Sequence, residues 1–433
     1  MNLEKKGGVK MNSFRQLKDL DRNVWIRFFG EAINGIAFMM LMPFFALYLK
    51  DRVDSLFLVG LVIAVAPIAS VVGTMVGGRL ADQYGRKPVM VWSMIGNAIV
   101  MSLFIVIDSL IGYIILSAFM GFFNSLFHPA ASAMVADVTA PEKRTEAFGL
   151  LRLGHNIGAT IGPLIGAAII VVSKSVIFFI AATTVFIYAI VVAIFIYESL
   201  PSKKEGEKEK EEELPSPLKV LVQDKILLIF IVTGIVISMS FSQMEGMLPL
   251  HFDKELKHLA PEQNPFPYLM AFNGLLVVLF QLAVSSWAAK RTVGFVMIIG
   301  AALFGLSQIA VGWLPLVFFA GKTEFWTIIA IMLVIYTFYT LGEMLITPVQ
   351  MTFISNIAPE HLRGTYMGAS GLQWIVGGAI GPLLSGYLLD RSLGNIMFTG
   401  LGIGCVIAGF VYVTIDKMVS TARVEEEIVS VES

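Results

Sequence analysis

The sequence predicts an all-α membrane protein of twelve transmembrane helices in two pseudo-symmetric six-helix bundles. Three observations carry that prediction. Runs of eighteen or more mostly apolar residues recur along all 433 residues, one long polar stretch divides them six and six, and the two halves echo each other. Only 15% of the chain is charged, against about 25% in soluble domains. Hydrophobic residues make up 56%, and mean hydropathy is +0.78.

A bilayer core needs roughly 20 apolar residues per helix. In the first half the runs meeting that need are 24–49, 56–78, 89–107, 111–135, 145–172 and 175–197. In the second they are 226–251, 267–289, 292–314, 325–354, 365–388 and 395–415. The runs are continuous and lack period-two alternation, which excludes a closed β-barrel. Residues 1–23 are hydrophilic, and the first run is too long for the apolar core of a cleaved leader. They form an N-terminal tail, followed by bundles at 24–198 and 226–415 and a tail at 416–433.

Between the bundles lies a linker, 199–225, beginning "SLPSKKEGEKEKEEELPSPL". Mixed charge between prolines buries no apolar area, so it reads as solvated. With this division and a cytoplasmic N-terminus, the inner loops and tails hold 22 of the 31 Lys and Arg and the outer loops seven. The positive-inside bias therefore places both termini in the cytoplasm of a cell membrane.

The repeat is local and specific. "APEKRTEAFGLLRLGHNIGATIGPLIG" follows the fourth run and "APEHLRGTYMGASGLQWIVGGAIGPLLSG" the tenth, so that Arg144 matches Arg363 and Gly162–Pro163 matches Gly381–Pro382. Paired bundles around a midplane cavity are the architecture of alternating-access transporters.

The chain contains no Walker-type loop, nucleophile elbow or clustered Cys/His set. No ATPase, enzyme, cofactor or metal centre is therefore expected. The single Cys405 allows no internal disulfide. A net charge of −1 gives no footprint for nucleic acid.

Two motifs carry mechanism. "GGRLADQYGRKP" joins the second and third runs, with Gly78, Asp82, Gly85, Arg86 and Lys87 in ordered spacing. Gly85 suits a tight turn, and Asp82 can pair with a nearby guanidinium. In the fifth run Gly154, Gly158, Gly162 and Gly166 recur every four residues, leaving one bare face for close helix approach, while Pro163 permits a bend.

These stretches resemble the major facilitator superfamily. The resemblance implies that Asp82, Arg86 and the acid ending the fourth span, Asp137, form an inner gate latch. It also identifies the glycine row as similar to the signature of the drug/proton antiporter branches. Gln83 stands where the family has an arginine, and Ala118 where the branch carries one within the fourth span. Arg152, one span later, is the candidate replacement for that charge.

Carboxylates inside apolar runs are expensive and mark function. Tyr336, Thr340, Glu343, Thr347 and Gln350 step by four, three, four and three, which puts them on one face of the tenth span. Glu245 lies on the seventh span with Ser238 and Ser242. "YTLGEMLITP" and "QMEGMLPLHF" resemble segments of LmrP-type multidrug/proton antiporters, which implies proton coupling and cation recognition at Glu343 and Glu245. A further acid of that type would fall at Arg152 here. On the first span Arg27, Glu31 and Asn34 share a face; Glu31 is either a coupling acid or half of a structural pair. Asn124, His128 and Asn273, with Tyr336, Thr340 and Asn34, are candidates for a substrate cavity.

The expected function is export of amphipathic or lipophilic compounds by proton antiport. The alternatives are export or flipping of one metabolite or lipid-linked molecule, and proton symport. The expected partners are a small amphipathic substrate, protons and the lipid bilayer, with a functional monomer implied by the resemblance.

Overall fold

In the computed structural model the described residues are 20–140, 143–170, 173–200, 223–256, 265–318, 324–359 and 362–432. For a few residues inside helices, Glu245 among them, only the backbone is described. The expected tail 1–23 and linker 199–225 lie mostly outside these residues.

Apart from short turns, the described residues are helical, with no strand among them. The first half comprises α1 (Arg22–Lys50), α2 (Leu56–Tyr84), α3 (Arg86–Val106), α4 (Leu110–Asp137), α5 (Arg144–Ile170) and α6 (Lys174–Phe195). The second begins with α7 (Lys225–Ser242), a π-helical turn (Gln243–Met247) and α8 (Leu248–Glu255). It continues with α9 (Phe266–Ala288), α10 (Val293–Phe318), α11 (Phe325–Ile357), α12 (Arg363–Asp390) and α13 (Gly394–Glu432).

The twelve apolar runs thus become helices one for one, with the seventh broken by the π turn. Among the described residues ten helices are long and apolar enough to cross a membrane, and α9 has a shorter apolar stretch, Phe266–Gln281. α13 continues without a break through the stretch expected as a C-terminal tail.

Two compact units result. The first takes the chain up to Leu41 and from Ala69 into the linker; the second takes Met42–Ile68 and everything after the linker. The C-terminal end of α1 and the N-terminal part of α2 therefore group with the second unit, a partition finer than the division into halves.

In the first unit Phe104 stacks on Tyr113 and Phe178, with ring centroids 6.1 and 5.2 Å apart. In the second, Phe230, Phe304, Tyr336 and Phe398 are fully enclosed. Large apolar side chains also point outward, Ile111, Phe179 and Trp326 among them, each more than 60% exposed. Such a perimeter suits hydrocarbon rather than water.

The glycine row does what its spacing predicts. A Cβ on Gly154 would meet the Phe28 carbonyl, one on Gly158 the backbone of Gly35, and one on Gly162 the Ile36 carbonyl and Met39. α5 thereby lies backbone to backbone against α1.

In the second unit α2 begins at Leu56 without a cap from its own sequence beyond Ser55. The Asp390 carboxylate, at the end of α12, accepts the amides of Leu56 at 2.7 Å and Phe57 at 3.0 Å. Nearby, Lys50 pairs with Asp253, and Lys254 donates to the Leu389 carbonyl.

Gly158→Leu is expected to force α5 from α1 and lower the thermal midpoint by several degrees, an overpacking cost of about 1–3 kcal/mol. Gly149→Ala, whose Cβ meets open space, is expected to hold or raise it, by up to about 1 kcal/mol. Melts of purified protein followed by intrinsic fluorescence check both.

Candidate functional site

On α11 the polar stripe forms, but it does not face one environment. Tyr336, Thr340 and Gln350 are buried, while Glu343 and Thr347 are partly accessible. Asn273 on α9 reaches across with its side-chain nitrogen, donating to Glu343 at 2.7 Å and to Thr340 at 3.0 Å. Thr340 passes its own hydroxyl proton back to the Tyr336 carbonyl at 2.7 Å. Gln350 turns elsewhere, donating to the Tyr412 hydroxyl at 3.0 Å on α13. Tyr336 is buried and donates to the Met270 sulfur at 3.8 Å.

Glu343 is thus held by an amide and has no ion pair among the described residues. An amide donor steadies a carboxylate without neutralising it, which leaves its charge to a proton or a cation. Gln281, one further polar group of α9, donates to Ser285 at 2.9 Å and to the Met344 carbonyl at 3.2 Å, acting as interhelical glue.

The backbone of Glu245 lies in the π turn; its side chain is outside the described residues. A single π turn within a helix frequently marks a functional site. Here Ser242 bonds back to the Met239 carbonyl at 2.7 Å, and Ser385 donates to Gln243.

The first unit holds a second polar cluster. Arg27 is buried, its guanidinium 2.5 Å from Glu31 and 4.7 Å from the centre of the Phe127 ring. It does not reach the surface along its stem. His155 of α5 lies 3.8 Å from the other Glu31 oxygen, and His128 of α4 is within electrostatic reach of Arg27, Glu31 and His155. Tyr188 of α6 closes the group beside Arg27, its ring seated against Gly30. Asn34 has a buried side-chain oxygen without a hydrogen-bond partner among the described residues.

Arg152 stands apart from this cluster. It is exposed and has no ion pair among the described residues. The reason is the face it occupies. The Gly154–Gly158–Gly162 face turns to α1, and Arg152 does not share it. Asn124 has no described hydrogen bond. Gly166 is buried, and Pro163 lies within α5 without ending it.

The loop motif assembles as its spacing implies. Gly85 has φ 104°, a conformation side chains rarely adopt, and turns α2 into α3. Arg86 pairs with Asp82, and its Nε lies 3.2 Å from Asp137 at the end of α4. Gly78 and Lys87 frame it, Gly78 with open space where a Cβ would stand.

The sequence did not single out Glu198. Its carboxylate accepts the amides of Arg86 at 2.9 Å and Lys87 at 3.1 Å, capping α3, and also those of Ser199 and Leu200 at 2.9 Å. Ser199 donates to Asp137 at 3.2 Å. The start of the linker is therefore tied to the loop motif. The available signal was an acid standing between an apolar run and a proline, where linker composition masked it. Tyr188 was missed because it is one aromatic among many.

A sequence model of the Major Facilitator Superfamily matches residues 27–382. The chain belongs to that superfamily. It is accordingly a multi-pass membrane transporter. An Na(+), Li(+), K(+)/H(+) antiporter of Planococcus maritimus is 28% identical, over 92% of this chain and 96% of its own. The quinolone resistance protein NorA of Staphylococcus aureus is 22% identical, over 94% of this chain and all of its own. Among solved structures, the nucleoside transporter NupG aligns with TM-score 0.75 at 13% identity, covering 91% of this chain and 100% of that one. A POT family transporter bound to 5-aminolevulinic acid aligns at 0.73 and 15%, covering 92% and 96%. At such identities the structures share the superfamily fold with this chain, and their ligands remain their own.

Glu198→Ala is expected to uncap α3 at a cost of about 1 kcal/mol. Hydrogen exchange at the Arg86 and Lys87 amides should then accelerate about five-fold, while amides in the middle of α3 stay protected.

Proposed function

We propose that the protein exports amphipathic cations or other lipophilic compounds in exchange for protons, by alternating access. The observation that carries this reading is Glu343, a carboxylate in a membrane helix that accepts from Asn273 and has no cation beside it among the described residues. Proton and substrate compete for that one charge. When the site faces outside, a proton arrives and the substrate leaves; when it faces inside, the order reverses. An inward proton gradient drives the cycle with about 2.3 kcal/mol per charge per 100 mV. Glu245 is the second candidate acid, and the Arg27–Glu31–His155 group a further proton-handling site. Arg86, Asp82 and Asp137 form the latch that holds the inner side closed in one half of the cycle. The termini lie in the cytoplasm and the protein works as a monomer in the cell membrane; the bias of 22 against seven basic residues supports the orientation.

A second reading is exchange of an alkali-metal cation for protons. The Planococcus relative supports it, as does the compact carboxylate and hydroxyl oxygen set of Glu343 and Thr340.

Proteoliposomes with an imposed pH gradient separate the two. The first reading predicts that a lipophilic cationic dye moves against the protons and that Glu343→Gln abolishes the exchange. Asn273→Ala, which removes the donor, is expected to slow it about five-fold or more. Sodium or potassium fluxes coupled to protons, with no dye movement, would instead establish the second. Dye flux indifferent to the gradient, or unchanged in Glu343→Gln, would overturn the coupling role.

The pH dependence follows by sign. A proton-driven exporter runs faster as the outside is acidified at constant inner pH. Exchange measured over an outer pH series should rise toward acid in the wild type and be flat in Glu343→Gln.

A further inference from the structure

α1 and α6 of the first unit leave a groove of about 340 Å³ between them, within the volume range of ligand pockets. Ile26, Phe29 and Ile33 form one wall, Thr184, Ile187 and Val191 the other, and Tyr188 lies at its floor against Gly30. Phe29, Ile33 and Ile187 are 58%, 46% and 55% exposed on helices that cross the membrane. The groove therefore opens toward hydrocarbon, and whatever fills it is apolar along its length.

One end is different. Arg22, Ile26, Phe29 and Ile33 step by four, three and four, so Arg22 continues the same face to the helix start. Arg22 is exposed, rests 5.9 Å from the centre of the Tyr197 ring, and has no carboxylate partner among the described residues. Its neighbour Asp21 is already engaged, accepting the Tyr197 hydroxyl at 2.6 Å and the Asn23 amide at 2.7 Å. Arg22, with no carboxylate partner among the described residues, thus stands beyond the end of the apolar groove. From Ile33 to Ile26 the groove rises about 10 Å, and Arg22 lies about 6 Å beyond it, so that groove and cation together span about half of a hydrocarbon core of about 30 Å.

We propose that this groove is a binding site for an anionic phospholipid of the leaflet at the N-terminal end of α1, with an acyl chain between α1 and α6 and the phosphate against Arg22. A cationic amphiphile is disfavoured by the same charge, and a zwitterionic lipid gains less from it because its own cation opposes Arg22. Since Tyr188 separates the groove from Arg27, the bound chain also packs against the wall of the polar cluster.

The test is native mass spectrometry of the delipidated, full-length protein in detergent. It is titrated with phosphatidylglycerol and, separately, phosphatidylcholine of identical acyl chains. Wild type is expected to bind phosphatidylglycerol more tightly, and Arg22→Gln to lower that preference about five-fold, as loss of one surface cation implies. Thr184→Trp, which fills the groove, is expected to weaken both lipids. Arg391→Gln, a surface arginine in the second unit, should change neither. Equal binding of the two lipids to wild type, or a preference untouched by Arg22→Gln, would overturn the proposal. So would tighter binding of tetraphenylphosphonium in Arg22→Gln with displacement of lipid, which would make the groove a substrate path. The Arg22 side chain is exposed, so gel-filtration and melting behaviour of Arg22→Gln should match wild type, which leaves a change in lipid binding interpretable.

Discussion

Hydrocarbon supplies no hydrogen bonds, so a polar atom placed inside it depends on the protein for a partner or on a cavity for water. Much of this structure follows from that constraint. Thr160, Thr184, Thr337 and Ser307 return their hydroxyls to carbonyls three or four residues back on their own helices. Arg27 cannot stay buried without Glu31, and the pair costs least when aromatic faces such as Phe127 fill the remaining sides. Asn273 answers Glu343 in the same way, from a neighbouring helix instead of the same one. The two solutions differ in what they leave available. Glu31 has a fixed cation beside it, whereas Glu343 has an amide and no cation among the described residues.

Backbone proximity is the second consequence. With lipid as apolar as leucine, helices gain little from hiding side chains and much from close contact. The Gly154–Gly158–Gly162 face serves that end, since it brings α5 within backbone distance of α1 at Gly35. The same approach places His155 near Glu31. Packing glycines and titratable groups on these two helices are therefore one feature, and a change in how α5 sits on α1 alters the surroundings of Glu31.

The sequence made the helices readable because a span is a one-dimensional signal of length and composition. Ten of them pass that test among the described residues. The loop motif was equally legible, since Gly85, Arg86 and Asp82 lie close in the chain. The stripe on α11 was legible only as a stripe. Helices cross at an angle, so the neighbour facing it changes along its length, from α9 at Glu343 to α13 at Gln350. Glu198 was hidden for a related reason. Its four amide partners include two more than a hundred residues earlier, and no local pattern encodes that distance. The π turn after Ser242 leaves no periodicity in the sequence.

The cap on α2 has a consequence for how the protein is made. The amides of Leu56 and Phe57 find their acceptor in Asp390, more than three hundred residues downstream. A ribosome delivers α2 to the membrane long before that carboxylate exists. During synthesis the first turn of α2 must borrow acceptors from water or lipid headgroups. Its final geometry is reached only when the eleventh span has been inserted. The N-terminal end of α2 is thus among the last parts of the molecule to mature, although it is among the first to be translated.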